Sequence, residues 1–396
     1  MKIVFFTFYY PPDLCAGSFR SIALVKALAK KLDTNDELHV IASHPNRYAN
    51  HQIEVDDVEL DDKVTIHRIS VPSHNSKMVS QVYTFSVFAF SAFRLSIKLK
   101  PDFLIGTTSR LMTGILTSLS ARFQNRNYFI DLRDIFSETI SDLISRKSRI
   151  LGDTIKPIFT YLEKKVLNGA TGVNIVSEGF SEYFQAVGVD TSNWSFFPNG
   201  VDKEFMNFPP VLRGVKGRMI TILYAGNIGS GQGLESVIPK AAKTLGKNYH
   251  FIVIGGGSTL SLLRNAINNE GVNNVELIPP LDRSKLFKYY LEADILFLHL
   301  NNIPAFRRVL PSKIFEYVAL GRPIVAGLSG YSADFLKNNV PSAHLFNPGD
   351  YKGAVSSFKD ILELEVSGDI ISKFVKTYSR TVIMDKMANH LIELIE

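Results

Sequence analysis

"RRVLPSKIFEYVALGRPIVAG", residues 307–327, sets two arginines and a Pro-Ser-Lys ahead of one glutamate, then runs apolar to a Gly-Arg-Pro stop and a short Ile-Val-Ala segment. Pro311 and Ser312 are helix-start residues. Ser312 is expected as N-cap, with Lys313, Ile314 and Phe315 as the first turn; Gly321 ends the helix and Pro323 prevents its continuation. A capping box would need Glu or Gln at 315, where Phe315 stands, so Glu316 comes one position late to cap. The plain reading of Glu316 is an i,i+3 pair with Lys313, worth about 0.2–0.5 kcal/mol. The functional reading is that Arg307, Arg308, Lys313 and the helix amides bind a diphosphate while Glu316 accepts hydrogen bonds from vicinal hydroxyls.

Outward from this helix, strand-length apolar runs alternate with amphipathic helical stretches. Upstream lie MITILYAG (219–226), a helix near 233–245, HFIVIGGG (250–257), a helix near 259–269, NVELIP (274–279), a helix near 283–291 and DILFLHL (294–300). The N-terminal half repeats the rhythm with KIVFFTF (2–8), a helix over 18–32, ELHVIAS (37–43), VTIHRIS (64–70), DFLIGT (102–107), NYFIDL (127–132) and GVNIVS (172–177), and helices near 79–98, 110–122, 153–168 and 178–187. Strands separated by helices of this length imply parallel sheets covered on both faces. Residues 198–218, rich in Pro, Gly and charge, interrupt the pattern and read as a linker. The expectation is an α/β chain of two doubly wound, Rossmann-like domains, with ligands beyond the carboxyl ends of the strands.

The bulk numbers agree with two domains: 396 residues, 45% hydrophobic and 21% charged. The single cysteine, Cys15, excludes an intramolecular disulfide and a cysteine-rich metal site, which points to the cytoplasm. MKIVFFTFYYPPD is stopped by Pro-Pro-Asp without a small-residue cleavage site and reads as a first strand. The longest uncharged stretch, Met78 to Phe93, falls short of the roughly 20 residues a membrane span needs, so no span is expected. A net charge of +6 fits nucleic acid, an anionic membrane or phosphorylated substrates alike.

Three further loops carry candidate chemistry. YYPPDLCAGSFR (9–20) places Gly17 just ahead of the first helix, where backbone amides can approach a phosphate or sugar; a plain βα turn is the alternative. AGNIGSGQGLE (225–235) follows a strand and opens a helix with Gly226, Gly229, Gly231 and Gly233, and it can cradle an anion, but it fits neither the dinucleotide fingerprint nor the Walker motif. IGGGS (254–258) reads as a tight turn. DLRDIFSE (131–138) brings Asp131, Arg133 and Asp134 together on the ligand edge, as functional groups or as an ordinary ion pair.

These residues resemble the retaining glycosyltransferases of family 4, which have the GT-B fold of two Rossmann-like domains facing each other across a cleft. The resemblance covers essentially the whole chain. It rests on the Pro-rich loop with Gly17, on DLRDIFSE, FPNGVD (197–202), LYAGNIGSGQGLE and LEADILFLHL (291–300), and most specifically on LPSKIFEYVALGRPIVA (310–326). Within that family the chain is most similar to bacterial sugar transferases of O-antigen, capsule and colanic-acid assembly, including N-acetyl-fucosamine transferases. The resemblance implies an acceptor-binding domain over 1–200, a nucleotide-sugar-binding domain over 201–376, and a C-terminal helix over 377–396 returning to the first domain. It also implies transfer from a nucleotide-sugar, of the UDP class, to a glycan or polyprenyl-linked acceptor, without a metal or other cofactor. Gly17, Gly226, Asn227, Gly229, Arg307, Arg308, Pro311, Ser312, Lys313 and Glu316 would then line the donor. Glu316 matches the ribose-binding glutamate, and Arg133, Asp134, Lys313 and Glu316 would serve catalysis.

The departures from the family pattern are specific. Arg308 stands where a first glutamate is usual, neutral Asn227 and Gln232 replace an Arg and a Lys, and Arg133-Asp134 replaces His-Asp. A UDP-sugar 2-epimerase of the same fold and a non-catalytic nucleotide-sugar-binding partner are the rival readings. Nucleic-acid binding is the weakest, since no groove-reading motif is present. The aromatic stretch 79–100 and the basic stretch 145–165 together read as an anionic-membrane surface or, equally, as a core helix and a solvated face.

Overall fold

β1 (Lys2–Phe6) is the sequence KIVFF, apolar at every position after Lys2 because sheet neighbours flank it and helices cover both faces. The computed structural model describes residues 1–13, 15–45, 55–72, 78–108, 111–138, 149–206, 218–363 and 367–396. The chain divides into two compact units, Met1–Asn199 with Arg380–Glu396, and Gly200–Ser379. The middle of the expected linker, 207–217, lies outside the described residues, as do 145–148 of the basic stretch.

In the first unit β1 is joined by β2 (Glu37–Ser43), β3 (Val58–Asp61), β4 (Val64–Ile69), β5 (Phe103–Thr108), β6 (Asn127–Leu132), β7 (Gly172–Ile175) and β8 (Trp194–Phe196). The order is β3-β4-β2-β1-β5-β6-β7-β8, parallel throughout except β3, which pairs antiparallel with β4 at the edge. The chain builds outward from β1 to one side and then the other, so the loops after β1 and β5 diverge at a topological switch point. The helices are α1 (Ala16–Ala29), α2 (Met78–Leu99), α3 (Leu111–Gln124), α4 (Arg149–Asn168), α5 (Gly179–Ala186) and, from the chain end, the helix Arg380–Ile395. That last helix packs on α1, with Lys31 Nζ 2.9 Å from Asp385 and Arg20 bonded to Met387 Sδ.

α2 runs past the uncharged stretch. Ser80–Leu99 reaches spanning length and apolarity by composition alone, which the expectation drawn from Met78–Phe93 missed because it stopped at Arg94. Only 28% of that window is buried. Thr84, Phe85, Phe88, Ala92 and Ser96 turn inward, with the Phe85 and Phe88 rings 5.5 and 5.1 Å from Phe8. Tyr83 and Phe90 turn outward.

The second unit contains β9 (Ile220–Ala225), α6 (Leu234–Leu245), β10 (Tyr249–Ile254), α7 (Leu260–Glu270), β11 (Val275–Ile278), α8 (Arg283–Glu292), β12 (Ile295–His299), α9 (Ser312–Ala319) and β13 (Ile324–Gly327). It continues with α10 (Tyr331–Asn339), β14 (Ala343–Phe346), α11 (Tyr351–Asp360) and α12 (Gly368–Thr377); Arg380–Ile395 is then α13. The six strands are parallel in the order β11-β10-β9-β12-β13-β14, so the switch point falls between β9 and β12. Ile222, Tyr224, Phe251, Val253, Phe297 and Val325 fill the core beneath it.

Candidate active site

In the second unit the site is built where β9 ends. Gly226 and Ile228 donate their amides to the carbonyls of Ile254 and Gly256, at 2.8 Å each, so the 226–229 loop lies flat on the glycine loop that follows β10. Gly255 and Gly257, at φ +152° and +157°, leave no room for a Cβ: Gly226 O and Ile228 O occupy those places. IGGGS is therefore the floor on which the first glycine loop rests rather than a tight turn of its own.

α9 docks onto the same edge. Lys313 Nζ donates to the Ala225 carbonyl, and one turn later the Tyr317 hydroxyl accepts the Ala225 amide at 3.2 Å. The Lys313 amine also sits 5.8 Å from the centre of the Tyr224 ring, whose hydroxyl donates to Asn227 O at 2.6 Å. Burial lowers the Lys313 pKa and the Glu316 carboxylate one turn away raises it, the burial being the larger influence. Burial works against the charge of Arg283, at the start of α8, but Asp202 above all, then Glu316 and Glu204, raise its pKa; Asp202 and Glu204 also pair with it directly at 2.5 and 3.1 Å. Lys313, Glu316, Gly226 and Asn227 thus come together.

The expected N-cap is corrected. α9 begins at Ser312 with helical backbone, and Pro311, at φ −62° and ψ 133°, takes the cap position without a side-chain cap. Proline's fixed φ suits an extended residue entering a helix, so the serine is carried into the first turn. Arg307 and Arg308 sit on a 3₁₀ turn, Pro304–Arg307 and its C-cap. Arg307 donates from Nε and Nη2 to Asn302 Oδ1, at 3.0 and 2.9 Å, and Arg308 from Nη1 to Pro304 O at 3.2 Å. Those contacts run within their own segment, while Lys313 turns to Ala225.

Asn227 and Gln232 bond to each other: Gln232 Oε1 accepts from Asn227 Nδ2 at 2.9 Å and from Gly229 N at 3.1 Å. Two residues missed in the sequence fix this loop from the end of β12 and just past it. Buried His299 accepts the Gly349 amide on Nε2 at 2.9 Å, which makes Nδ1 the donor to Gln232 O; burial lowers its pKa and favours this neutral form. Asn301 accompanies it, donating to Ser230 O from its side chain and to Gly231 O from its backbone. The signal was present in LFLHL, a histidine inside a strand otherwise apolar at every position.

In the first unit the Asp-Arg-Asp of DLRDIFSE is divided. Asp131 does not face a ligand with Arg133 and Asp134, contrary to expectation. It is fully buried in a clamp: Arg20 Nε and Nη2 donate at 2.9 and 2.8 Å, Asn174 Nδ2 at 2.7 Å and Thr107 Oγ1 at 3.1 Å. Arg20 also binds the carbonyls of Phe197 and Pro198, tying α1 to the segment after β8. The reason is strand geometry: Asp131 is inside β6, packed under α1, whereas Arg133 and Asp134 lie past its end. Asp134 Oδ1 accepts the Ile135 amide at 2.9 Å. Arg133 reaches α1, its Nη1 2.7 Å from the place a Cβ on Gly17 would take. Among the described residues, no three His, Cys, Asp or Glu side chains gather as a metal-ligand set.

Residues 213–377 match the family described as "Glycosyl transferases group 1". "Putative colanic acid biosynthesis glycosyl transferase WcaI" of Escherichia coli K12 is 25% identical over 267 residues, 65% of this chain and 64% of that protein. The chain thus matches a little under two-thirds of the length of that curated relative. Sucrose-phosphate synthase from Thermosynechococcus elongatus superposes with a TM-score of 0.77 at 15% identity, over 99% of this chain and 98% of that one. Anabaena Alr3699/HepE, solved with UDP and glucose, gives 0.69 at 14% identity over 99% of both chains. The glycine loop, Lys313 and Glu316 fall inside the matched span, so the second unit is similar to the group 1 glycosyl transferases, and the chain has the two Rossmann-like units of the GT-B fold.

Proposed function

We propose that the chain transfers a sugar from a nucleotide-sugar of the UDP class to a glycan or polyprenyl-linked acceptor in bacterial surface polysaccharide synthesis, with retention at the anomeric carbon. The observation that carries this reading is the meeting of Lys313, Glu316 and the side-chain-free Gly226 at the carboxyl edge of β9. There, Lys313 and the α9 amides face the diphosphate and Glu316 accepts the ribose hydroxyls. The acceptor hydroxyl oxygen bonds to the anomeric carbon as the bond from that carbon to the phosphate oxygen breaks, and the departing phosphate takes the acceptor proton. No separate protein base is required for that exchange. Positive charge from Lys313 and the helix amides supplies what a divalent ion supplies elsewhere, so turnover is metal-independent in this reading.

The acceptor side of the proposal draws support from the first unit's surface. A groove of about 570 Å³ lies between α2 and α3, lined by Phe90, Phe93, Met112, Leu119 and Phe123 and rimmed by Arg122. An apolar groove with a basic rim suits a chain resting on the cytoplasmic face of an anionic membrane, where a polyprenyl-linked acceptor resides.

The test is a mass-spectrometric screen of UDP- and GDP-sugars with and without a lipid-linked acceptor extract. Acceptor-dependent release of UDP together with a glycosylated product is the expected result. A UDP-2-epimer formed from donor alone would assign an epimerase instead, and UDP binding without sugar release under any acceptor would assign a non-catalytic partner.

A further inference from the structure

Gln232 folds its side chain back over the turn that follows β9, and one oxygen of its own gathers the donors there. Oε1 accepts the Gly229 amide at 3.1 Å and Asn227 Nδ2 at 2.9 Å. A backbone amide can only donate, so the atom facing Gly229 is the carboxamide oxygen and not its nitrogen. Two N–H groups converging on one oxygen in a glycine-rich turn is the arrangement that holds an anionic oxygen. In this chain a neutral, internal oxygen fills it.

The backbone beneath is fixed without help from that side chain. Gln232 N donates to Gly229 O at 3.0 Å, which closes the turn, and Gln232 O accepts from His299 Nδ1. Asn301 holds the carbonyls of Ser230 and Gly231. The place of a Cβ on Gly231 lies 2.7 Å from the Phe306 ring, and that of one on Gly233 is taken by Asn301, so the turn is packed shut at both glycines. Its open part is at Asn227, which is exposed, and Gln232, which is half-buried. Rotation about the Gln232 side-chain bonds alone swings the carboxamide into solvent and bares both donors. Lys313 stands at the other end of the same short loop, beside Gly226.

We propose that Gln232 is a gate on the diphosphate seat. Its carboxamide oxygen holds the place of a phosphate oxygen, and an incoming diphosphate displaces it and takes up the Gly229 amide and Asn227 Nδ2. The proposal rests on the sugar-transfer reading for the source of that diphosphate. Gln232 acts by competition: the ligand binds only the molecules whose carboxamide has swung out, and its apparent affinity is lowered by that fraction. A charged oxygen makes hydrogen bonds about twice as strong as a neutral one, so the gate yields to a diphosphate and stays shut to neutral groups.

The experiment titrates the full chain and its Gln232→Ala and Gln232→Glu variants with UDP, GDP, inorganic pyrophosphate and uridine, with thermal unfolding as the check on folding. Gln232→Ala removes the competing oxygen and should tighten UDP binding by about three- to tenfold. Gln232→Glu keeps the shape, engages the same two donors more strongly and repels phosphate, so it should weaken UDP binding by about tenfold or more. Opposite shifts are the signature, because a residue that only supports the loop loses affinity in both variants. If Gln232→Glu does not fold, the gain with Gln232→Ala decides alone. Unchanged or weaker UDP binding by Gln232→Ala overturns the gate, as does the same pair of shifts with uridine, which has no phosphate. Opposite shifts with GDP or pyrophosphate, while UDP binds none of the three proteins, would keep the gate and count against the UDP reading alone. Binding of no diphosphate even by Gln232→Ala overturns the gate.

Discussion

Lys313 occupies the space that a side chain on Gly226 would need. The contact links the first glycine of the β9 loop to the first turn of α9, and Gly226 stands at φ +152°, where an L side chain is strained. Gly226→Ala must therefore displace the amine or shift the loop off its floor on Gly255. The expected result is a folded protein with UDP affinity reduced by about tenfold or more and a stability loss of about 1–2 kcal/mol from backbone strain. Titration with UDP alongside thermal unfolding separates the two effects; unchanged UDP affinity would detach Lys313 from the donor.

Lys313 gives a pH prediction with a definite sign. Burial holds its pKa below the ordinary lysine value, and a bound diphosphate would raise it by favouring the charged form. Donor binding should then take up protons on the alkaline side, and affinity for UDP should fall as pH rises there. Calorimetry in buffers of different ionisation enthalpy measures the uptake. Lys313→Ala should abolish it and lower turnover by about 10²–10³. Near-normal turnover in that variant would remove Lys313 from the reaction.

Glu163, on α4, positions the segment that follows Arg133. Its Oε1 accepts the amides of Phe136 and Ser137 at 2.8 and 3.3 Å, while Oε2 is buried without a partner. Burial pushes its pKa up from 4.5 to about 7, despite those hydrogen bonds. The folded state holds the proton to higher pH than the unfolded chain, so this stabilisation is complete below about pH 4.5 and is lost as pH rises through 7. Every tenfold difference in proton affinity between the folded and unfolded chain is worth about 1.4 kcal/mol. Glu163→Gln keeps the accepting oxygen and removes the charge. It should raise the unfolding temperature at pH 8 and flatten the stability profile between acid and neutral pH. A lower unfolding temperature at pH 8 would mean that the ionised carboxylate is stabilising.

The central strands were legible because both faces of a parallel sheet are buried: FLIGTT and ILFLH are apolar or small at nearly every position. β3 and β8 were not, being edge strands of four and three residues with mixed burial. The glycine loop after β9 was legible from its glycines, but the reason for the neutral Asn227 and Gln232 was not. It depends on their bond to each other and on His299 from a strand 67 positions later in sequence. The cation cluster at 307–313 looked continuous in sequence and is parted by geometry, since a 3₁₀ turn carries Arg307 and Arg308 while α9 carries Lys313. DLRD failed in the same way. Strand alternation placed Asp131 against Arg20 and let Arg133 pass beyond the sheet, a division that three adjacent polar residues do not reveal.

The surface of α2 and α3 decides whether the chain rests on a membrane. Phe90 and Phe123 are 64% and 69% exposed, far more than two phenylalanines need be for packing, and Arg94 lies 5.6 Å from the Phe90 ring centre. An exposed phenylalanine gains roughly 1.5–3 kcal/mol on full transfer out of water, and each nearby cation adds about 1 kcal/mol on an anionic surface. Wild-type protein should therefore co-float with vesicles containing phosphatidylglycerol and lose that association at high salt. Replacing both residues by serine should reduce flotation by about tenfold or more while leaving the unfolding temperature within about 1–2 °C, because neither ring is in the core. Vesicles of neutral lipid give the complementary arm: weak binding there that is still sensitive to Phe90→Ser and Phe123→Ser assigns the energy to insertion. Binding that depends on charge alone, with both serines tolerated, would make the groove a feature of the fold with no part in membrane attachment.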